Sequence, residues 1–134
     1  MGYHITDPES VEPTPDRPCV QRAVGDEAGL ENVACNLYEV RPGEQIPLAY
    51  HYHDDQEEVF YVESGQLHVE TPGGERVVPE GHVLVVEPDS PQRAFVPEDA
   101  EETVRTLVLG APSVDDVHAY DPESDDHASA ERES

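Results

Sequence analysis

His51 and His53 flank Tyr52, four residues separate His53 from Glu58, and six more separate Glu58 from Gly65. This spacing can do metal chemistry. Side chains alternate along an extended segment, so imidazoles at i and i+2 point to the same side. A carboxylate one tight turn later, on an adjacent strand, completes three ligands on one face of an ion. Two histidines and a carboxylate with open positions suit non-haem Fe(II), and the same set can hold a catalytic Zn.

Elements that could position these residues are short strands divided by turn residues. An extended run over 33–40 stops at Pro42-Gly43, and a second over 46–53 carries both imidazoles. Asp54, Asp55 and Gln56 make a polar turn into a strand over 58–63. Ser64-Gly65 and Pro72-Gly73-Gly74 turn the chain into strands over 66–71 and 75–78. The continuous apolar run over 83–87 predicts a buried strand, and strands over 92–96 and 103–109 close the set. Many short strands with Gly/Pro turns and no long helix predict an all-β antiparallel sandwich or barrel. If His51 and His53 face its interior, Tyr50 and Tyr52 face away. Glu58, Phe60 and Val62 then share a face, which makes Phe60 a pocket-lining residue.

The pattern resembles the first motif of the cupin superfamily, G-x5-H-x-H-x(3,4)-E-x6-G, met by Gly43, His51, His53, Glu58 and Gly65. Seven residues rather than five separate Gly43 from His51. Glu57 fits the shorter His-to-Glu spacing, but only Glu58 keeps the six-residue gap to Gly65. The second motif, G-x5-P-x-G-x2-H-x3-N, aligns from Gly81 through Pro88, placing Asp89 at the usual Gly and Gln92 at the usual His. A rival alignment through Gly73, Pro79 and Gly81 puts Leu84 at the His position and follows Gly65 too soon. The resemblance covers about residues 33–110. It implies a single-domain jelly-roll, double-stranded β-helix barrel. It also implies one divalent ion (Fe, Mn, Ni or Zn) on His51, His53 and Glu58, with Gln92 at or near a fourth position.

Gln92 leaves three readings open. Its amide oxygen can be a fourth ligand, can hydrogen-bond a metal-bound water, or can mark a site that has lost tight metal binding. Proteins similar to this are dioxygenases, isomerases, decarboxylases or non-catalytic small-ligand binders. The expectation is a metal-dependent oxygenase or isomerase acting on a small polar molecule, with a non-catalytic binding or regulatory protein as the alternative. Arg105 is a candidate partner for a substrate carboxylate, but in so acidic a protein a surface ion pair is the favoured reading. His68 is expected at solvent or an interface and His82 in a turn. His4, His118 and His127 are assigned no role.

The 134 residues suffice for one domain. Four prolines in 1–18 predict an extended arm ahead of a barrel over 19–112. A C-terminal segment over 113–134 follows, with a short helix at 113–117 capped by Ser113 and a disordered acidic tail from Asp121. The formal charge is −24, from 31 acidic residues against seven arginines and no lysine. A surface this negative points to a halophilic, haloarchaeal source, where salt screens self-repulsion. It argues against nucleic-acid partners and anionic membranes. With no membrane-length apolar run and no signal-peptide layout, the expected compartment is the cytoplasm. Cys19 and Cys35 make no disulfide framework and read as buried or idle thiols. The arm, and the habit of the resembling family, imply a homodimer.

Overall fold

The computed structural model of the chain describes residues 2–124. The acidic tail beyond Ser124, with His127, lies outside the described residues. The strands are β1 (Val20–Arg22), β2 (Ala34–Val40), β3 (His51–His53), β4 (Glu57–Ser64), β5 (Leu67–Thr71), β6 (Gly74–Val78), β7 (Val83–Val86), β8 (Arg93–Phe95), β9 (Val104–Ala111) and β10 (Val117–Ala119). One five-residue helix, α1 (Val24–Ala28), follows β1. The strands form a five-stranded sheet in the order β1-β2-β9-β4-β7, a three-stranded sheet β6-β5-β8 and a two-stranded ribbon β10-β3. Every pairing is antiparallel. The expected all-β jelly roll is what the chain forms.

Alternation decides what each strand buries. Along β4, Phe60 and Val62 are buried while Glu57, Tyr61 and Glu63 are exposed; along β9, Val104, Thr106 and Val108 are buried. These meet Leu67 and Val69 of β5 and Val96 in one core. Burying each such side chain stabilises the fold by roughly 1.5–3 kcal/mol relative to exposure. Thr106, also in the core, donates its hydroxyl to the Tyr61 carbonyl at 2.8 Å, so its burial leaves no unpaired oxygen. The register slips between Val62 and Ser64, and Gly65 follows with φ +80°. A Cβ there would sit 3.0 Å from Val104 Cγ2 and 3.1 Å from the Thr103 carbonyl oxygen. Both the left-handed backbone and the close approach call for glycine.

Three expectations are corrected. The run at 83–87 is not a buried strand: β7 is the sheet edge, with Val83 53% and Val85 64% exposed. An unbroken apolar run cannot reveal that its alternate residues face outward. The strand expected over 46–53 is ladder-paired only at His51–His53. Pro47 interrupts its earlier part, which touches the second sheet through Ile46 N to the Ala94 carbonyl at 3.0 Å. Helix at 113–117 is replaced by extended chain entering β10, paired Val117 to His53, His118 to Tyr52 and Ala119 to His51. One turn of helix cannot recover its nucleation cost, whereas a strand finds partners on β3. Arg105 holds Glu9, Glu39 and Glu63 at 2.9–3.1 Å, the ion pairing favoured for it over a substrate carboxylate.

The proline-rich segment lies along its own barrel from Pro8 onward. Pro8–Ser10 form a 3-10 turn, Val11 is buried, and Arg22 donates to the Val11 carbonyl at 2.8 Å. Tyr3 and Ile5, before it, are exposed. Among the described residues no helix is long and apolar enough to cross a membrane.

Candidate metal centre and cavity

Strand β3 turns His51 and His53 to one face, each 8% exposed. On the other face Tyr52 stacks on His118, centroids 5.2 Å apart, and Tyr50 packs on Tyr120. Strand β4 brings Glu58 alongside. One ligand atom from each of His51, His53 and Glu58 lies within 4.8 Å of the others, and His53 Nε2 is 3.3 Å from Glu58 Oε1. Gln92 arrives by a backbone bridge to His51, its N–H donating to the His51 carbonyl at 2.8 Å. Asp89, at the position where the resembling motif has Gly, holds the left-handed φ of +61° and donates its N–H to the His53 carbonyl at 2.7 Å.

The outward nitrogens fix the tautomers. His51 Nδ1 is 3.0 Å from the Ala49 carbonyl, and His53 Nδ1 is 2.8 Å from Asp116 Oδ1. Only a protonated Nδ1 can donate to these acceptors, so in the neutral imidazole each Nε2 lone pair is left for the inner face; when His53 is protonated, its Nε2 donates to Glu58 instead. Asp116 in turn accepts the N–H groups of Asp55 and Gln56 on Oδ2 at 2.6 and 3.0 Å. Burial alone would raise its carboxyl, but these bonds and the one to His53 outweigh it and bring the pKa down to about 2. His51 is pushed below its usual range, chiefly by burial. Burial also pulls His53 down, but its bonds to Glu58 and Asp116 outweigh that and raise it.

Gln92 tests whether an ion fits. Its amide nitrogen donates to Glu58 Oε1 at 3.3 Å, which sets the orientation, since a flipped amide would face oxygen with oxygen. The amide oxygen is left buried with no hydrogen-bond partner. An orphaned buried acceptor costs about 1–3 kcal/mol. A cation, or a water held by one, satisfies it. Two imidazole nitrogens, a carboxylate and this oxygen are a donor set that divalent first-row ions accept, so the buried triad could bind a metal ion.

Beyond the triad opens a cavity of about 460 Å³. Phe60 lines it, as the alternation of β4 predicts, together with Ile46, Leu48 and Val108. Polar groups line it too: Gln21, Asn36, Tyr38, Gln56 and Arg17. Tyr38 accepts a 2.8 Å hydrogen bond from Gln21 Nε2, and burial pushes its pKa up, so it keeps its proton. Gln56 donates to the Pro112 carbonyl at 3.1 Å and lies against Gly110, where any Cβ would sit 2.8 Å from its amide carbon.

The structure thus gathers His51, His53, Glu58, Gln92 and Phe60 around one space. His68 pairs with Glu75, and His82 sits in a turn beside the Glu80 carbonyl, away from this lining. Cys19 is buried and unbridged, its thiol pushed up to about 12 mainly by burial. Lining or supporting residues that were not legible as such include Asp116, Gln56, Arg17, Tyr38, Asn36 and Gln21. Asp116 stands 63 residues from His53, in a segment that reads as a short helix.

Several solved structures share this architecture. A provisionally assigned sugar phosphate isomerase from Acidithiobacillus ferrooxidans is 25% identical over 69% of this chain and 58% of its own length, with a TM-score of 0.62. This chain therefore spans less than two thirds of that protein. A sugar phosphate isomerase of the cupin superfamily from Silicibacter pomeroyi is 26% identical over 81% of this chain and 75% of its own, with a TM-score of 0.67. The polyketide cyclase RemF from Streptomyces resistomycificus aligns over 97% of this chain and 94% of its own at a TM-score of 0.74; its 17% identity speaks to the fold alone. No curated protein matches the chain in sequence. The sequence pattern of the cupin domain matches residues 36–109, more than half of the whole, and the chain belongs to that family.

Proposed function

We propose that this protein is a metal-dependent isomerase of small, oxygen-rich molecules, with one divalent ion on His51, His53 and Glu58 and Gln92 at the fourth position. The observation that carries the reading is the orphaned Gln92 oxygen beside a carboxylate and two imidazoles whose outward nitrogens are engaged. A bound ion would act as a Lewis acid, polarising a carbonyl or hydroxyl of the substrate. Tyr38 holds its proton in the same cavity and donates it to a substrate oxygen. Asn36 and Gln56 offer amide groups that suit hydroxyls better than hydrocarbon. The two sugar phosphate isomerases similar to this chain support proton transfer over oxygen insertion.

The test has two stages. Elemental mass spectrometry of protein purified without chelator should find about one equivalent of a transition metal, absent from His51→Ala. Incubation in D2O with a panel of aldoses, ketoses and their phosphates should then show deuterium entering next to a carbonyl, and chelation should stop it. No metal, even after soaking, defeats the proposal. Metal without exchange favours a second reading, a ligand-binding protein without turnover, for which the neutral Gln92 in place of an imidazole is the specific support.

A further inference from the structure

Three of the arginines are spent on carboxylates. Arg22 reaches Glu39 and Glu9, Arg93 holds Glu70 at 2.8 Å, and Arg105 holds three glutamates. That is the expected fate of a guanidinium in a chain of charge −24. Arg17, Arg41 and Arg76 make no ion pair among the described residues, but Arg41 and Arg76 are exposed, whereas Arg17 lines the cavity that contains the triad. Two carboxylates, Glu58 and Asp115, line the same cavity and neither pairs with it.

Arg17 is nevertheless held in place. Its Nη2 donates to the Ile46 carbonyl at 2.8 Å, and its Nε–H is sheltered from solvent with no acceptor. A guanidinium has five N–H groups in a planar fork, and here the protein supplies an acceptor for one. Arg17 lines the same cavity as His51 and Tyr38, so it stands close to the chemistry rather than at a remote rim. An unpaired cation on the cavity wall of so acidic a protein lacks one thing, an oxyanion.

We infer that Arg17 is the anion anchor of the cavity, and that the ligand is a small hydroxylated molecule bearing a carboxylate or phosphate. This rests on the metal-site reading for the ligand's other end: its hydroxyl or carbonyl oxygens go to the triad while its oxyanion takes the free edge of the guanidinium. A fork-to-oxyanion contact gains two charge-assisted hydrogen bonds and discriminates against a neutral analogue by about tenfold or more. Long-range repulsion from the carboxylated surface makes this local cation necessary for any anion to enter.

The experiment compares glycerol, glycerate and glycerol 3-phosphate by calorimetry on metal-loaded protein at one fixed chloride concentration. The expected result is at least about tenfold tighter binding of one of the two anions than of glycerol, lost in Arg17→Gln with metal content unchanged. Which anion wins distinguishes a carboxylate from a phosphate ligand. A preference that survives Arg17→Gln, or equal binding of all three, overturns the inference and leaves the metal site standing. A second arm works on the chelated protein: acetate and inorganic phosphate are titrated while the Arg17 Nε–H resonance is followed by NMR. That resonance should move with at least one anion and stay still with glycerol; if it moves with neither, the anchor is refuted independently of any metal. Metal absent from the wild-type protein, with the resonance still responding, would sink the isomerase reading and keep the anion site.

Discussion

The five-stranded sheet and the β3–β10 ribbon sit in one barrel but are built on opposite principles. In the sheet, β4 and β9 run eight residues each, pair on both sides and bury alternate side chains, so each residue is over-determined by local pattern and neighbours. The ribbon has three residues per strand and carries both imidazoles. Its geometry is held by single long-range contacts: Asp116 on His53 and on the Asp55 and Gln56 amides, and Asp89 on the His53 carbonyl. Stability therefore resides mainly in the sheet, while the ribbon carries both imidazoles and the sheet contributes Glu58 to the triad. Apart from Glu58, changes in the two regions should separate into effects on folding and effects on metal.

His53→Ala should break that division most strongly on the ribbon side. It removes a proposed ligand, and with it the contact to Asp116 that ties β3 to β10. Metal affinity, measured by competition with a chromogenic chelator, should fall by more than about 100-fold, beyond the loss of a supporting hydrogen bond. The unfolding midpoint of the metal-free protein should move little. A collapse of the metal-free fold would mean that the ribbon also carries the barrel.

Gly65→Ala tests the sheet side. The left-handed φ and the contacts near 3.0 Å with Val104 and Thr103 should together cost about 2–4 kcal/mol in chemical denaturation. Metal bound per folded molecule should stay unchanged. Loss of metal with no loss of stability would reverse the assignment of the two regions.

Asp116→Asn is smaller and sharper. Both carboxylate oxygens accept and none donates, so an asparagine NH2 must face either His53 Nδ1–H or two backbone N–H groups. Metal affinity should drop about 10- to 100-fold. The pH profile gives a second readout. A carboxyl depressed to about 2 from 3.8 stabilises the fold above its unfolded pKa, and that stability is lost as pH falls from about 4 to 2. That acid lability should thus be present in the wild type and missing from the variant. Equal acid profiles would show that Asp116 does not hold the ribbon.

What could be read from residues alone follows the same division. The triad was legible because His51, His53 and Glu58 lie on two strands joined by one turn, with Gly65 just past the second, where spacing translates directly into geometry. Gln92 was legible through the turn residues Pro88 and Pro91 before it. Asp116 and Arg17 were not: Asp116 supports His53, and Arg17 reaches the cavity, each from a segment with no periodicity of its own. Residues 113–117 suggest a short helix and residues 1–18 an extended arm. Hydrogen bonds across 60 residues leave no local trace; only the completed barrel reveals them.

Val85→Thr should have the smallest effect and bounds the argument about the sheet. Val85 sits on the edge strand β7, opposite Val59, with its side chain on the outer face. A hydroxyl there meets solvent, so no unpaired polar group is buried, and threonine keeps the β-branched shape that suits a strand. The change in unfolding free energy should fall within about 0.5 kcal/mol. The isosteric Val62→Thr, on β4 and wholly buried, should cost about 1–3 kcal/mol by burying the same hydroxyl. A large loss at Val85 would mean that this apolar outer strip, which includes Val83 and Tyr61, is covered in solution by another surface.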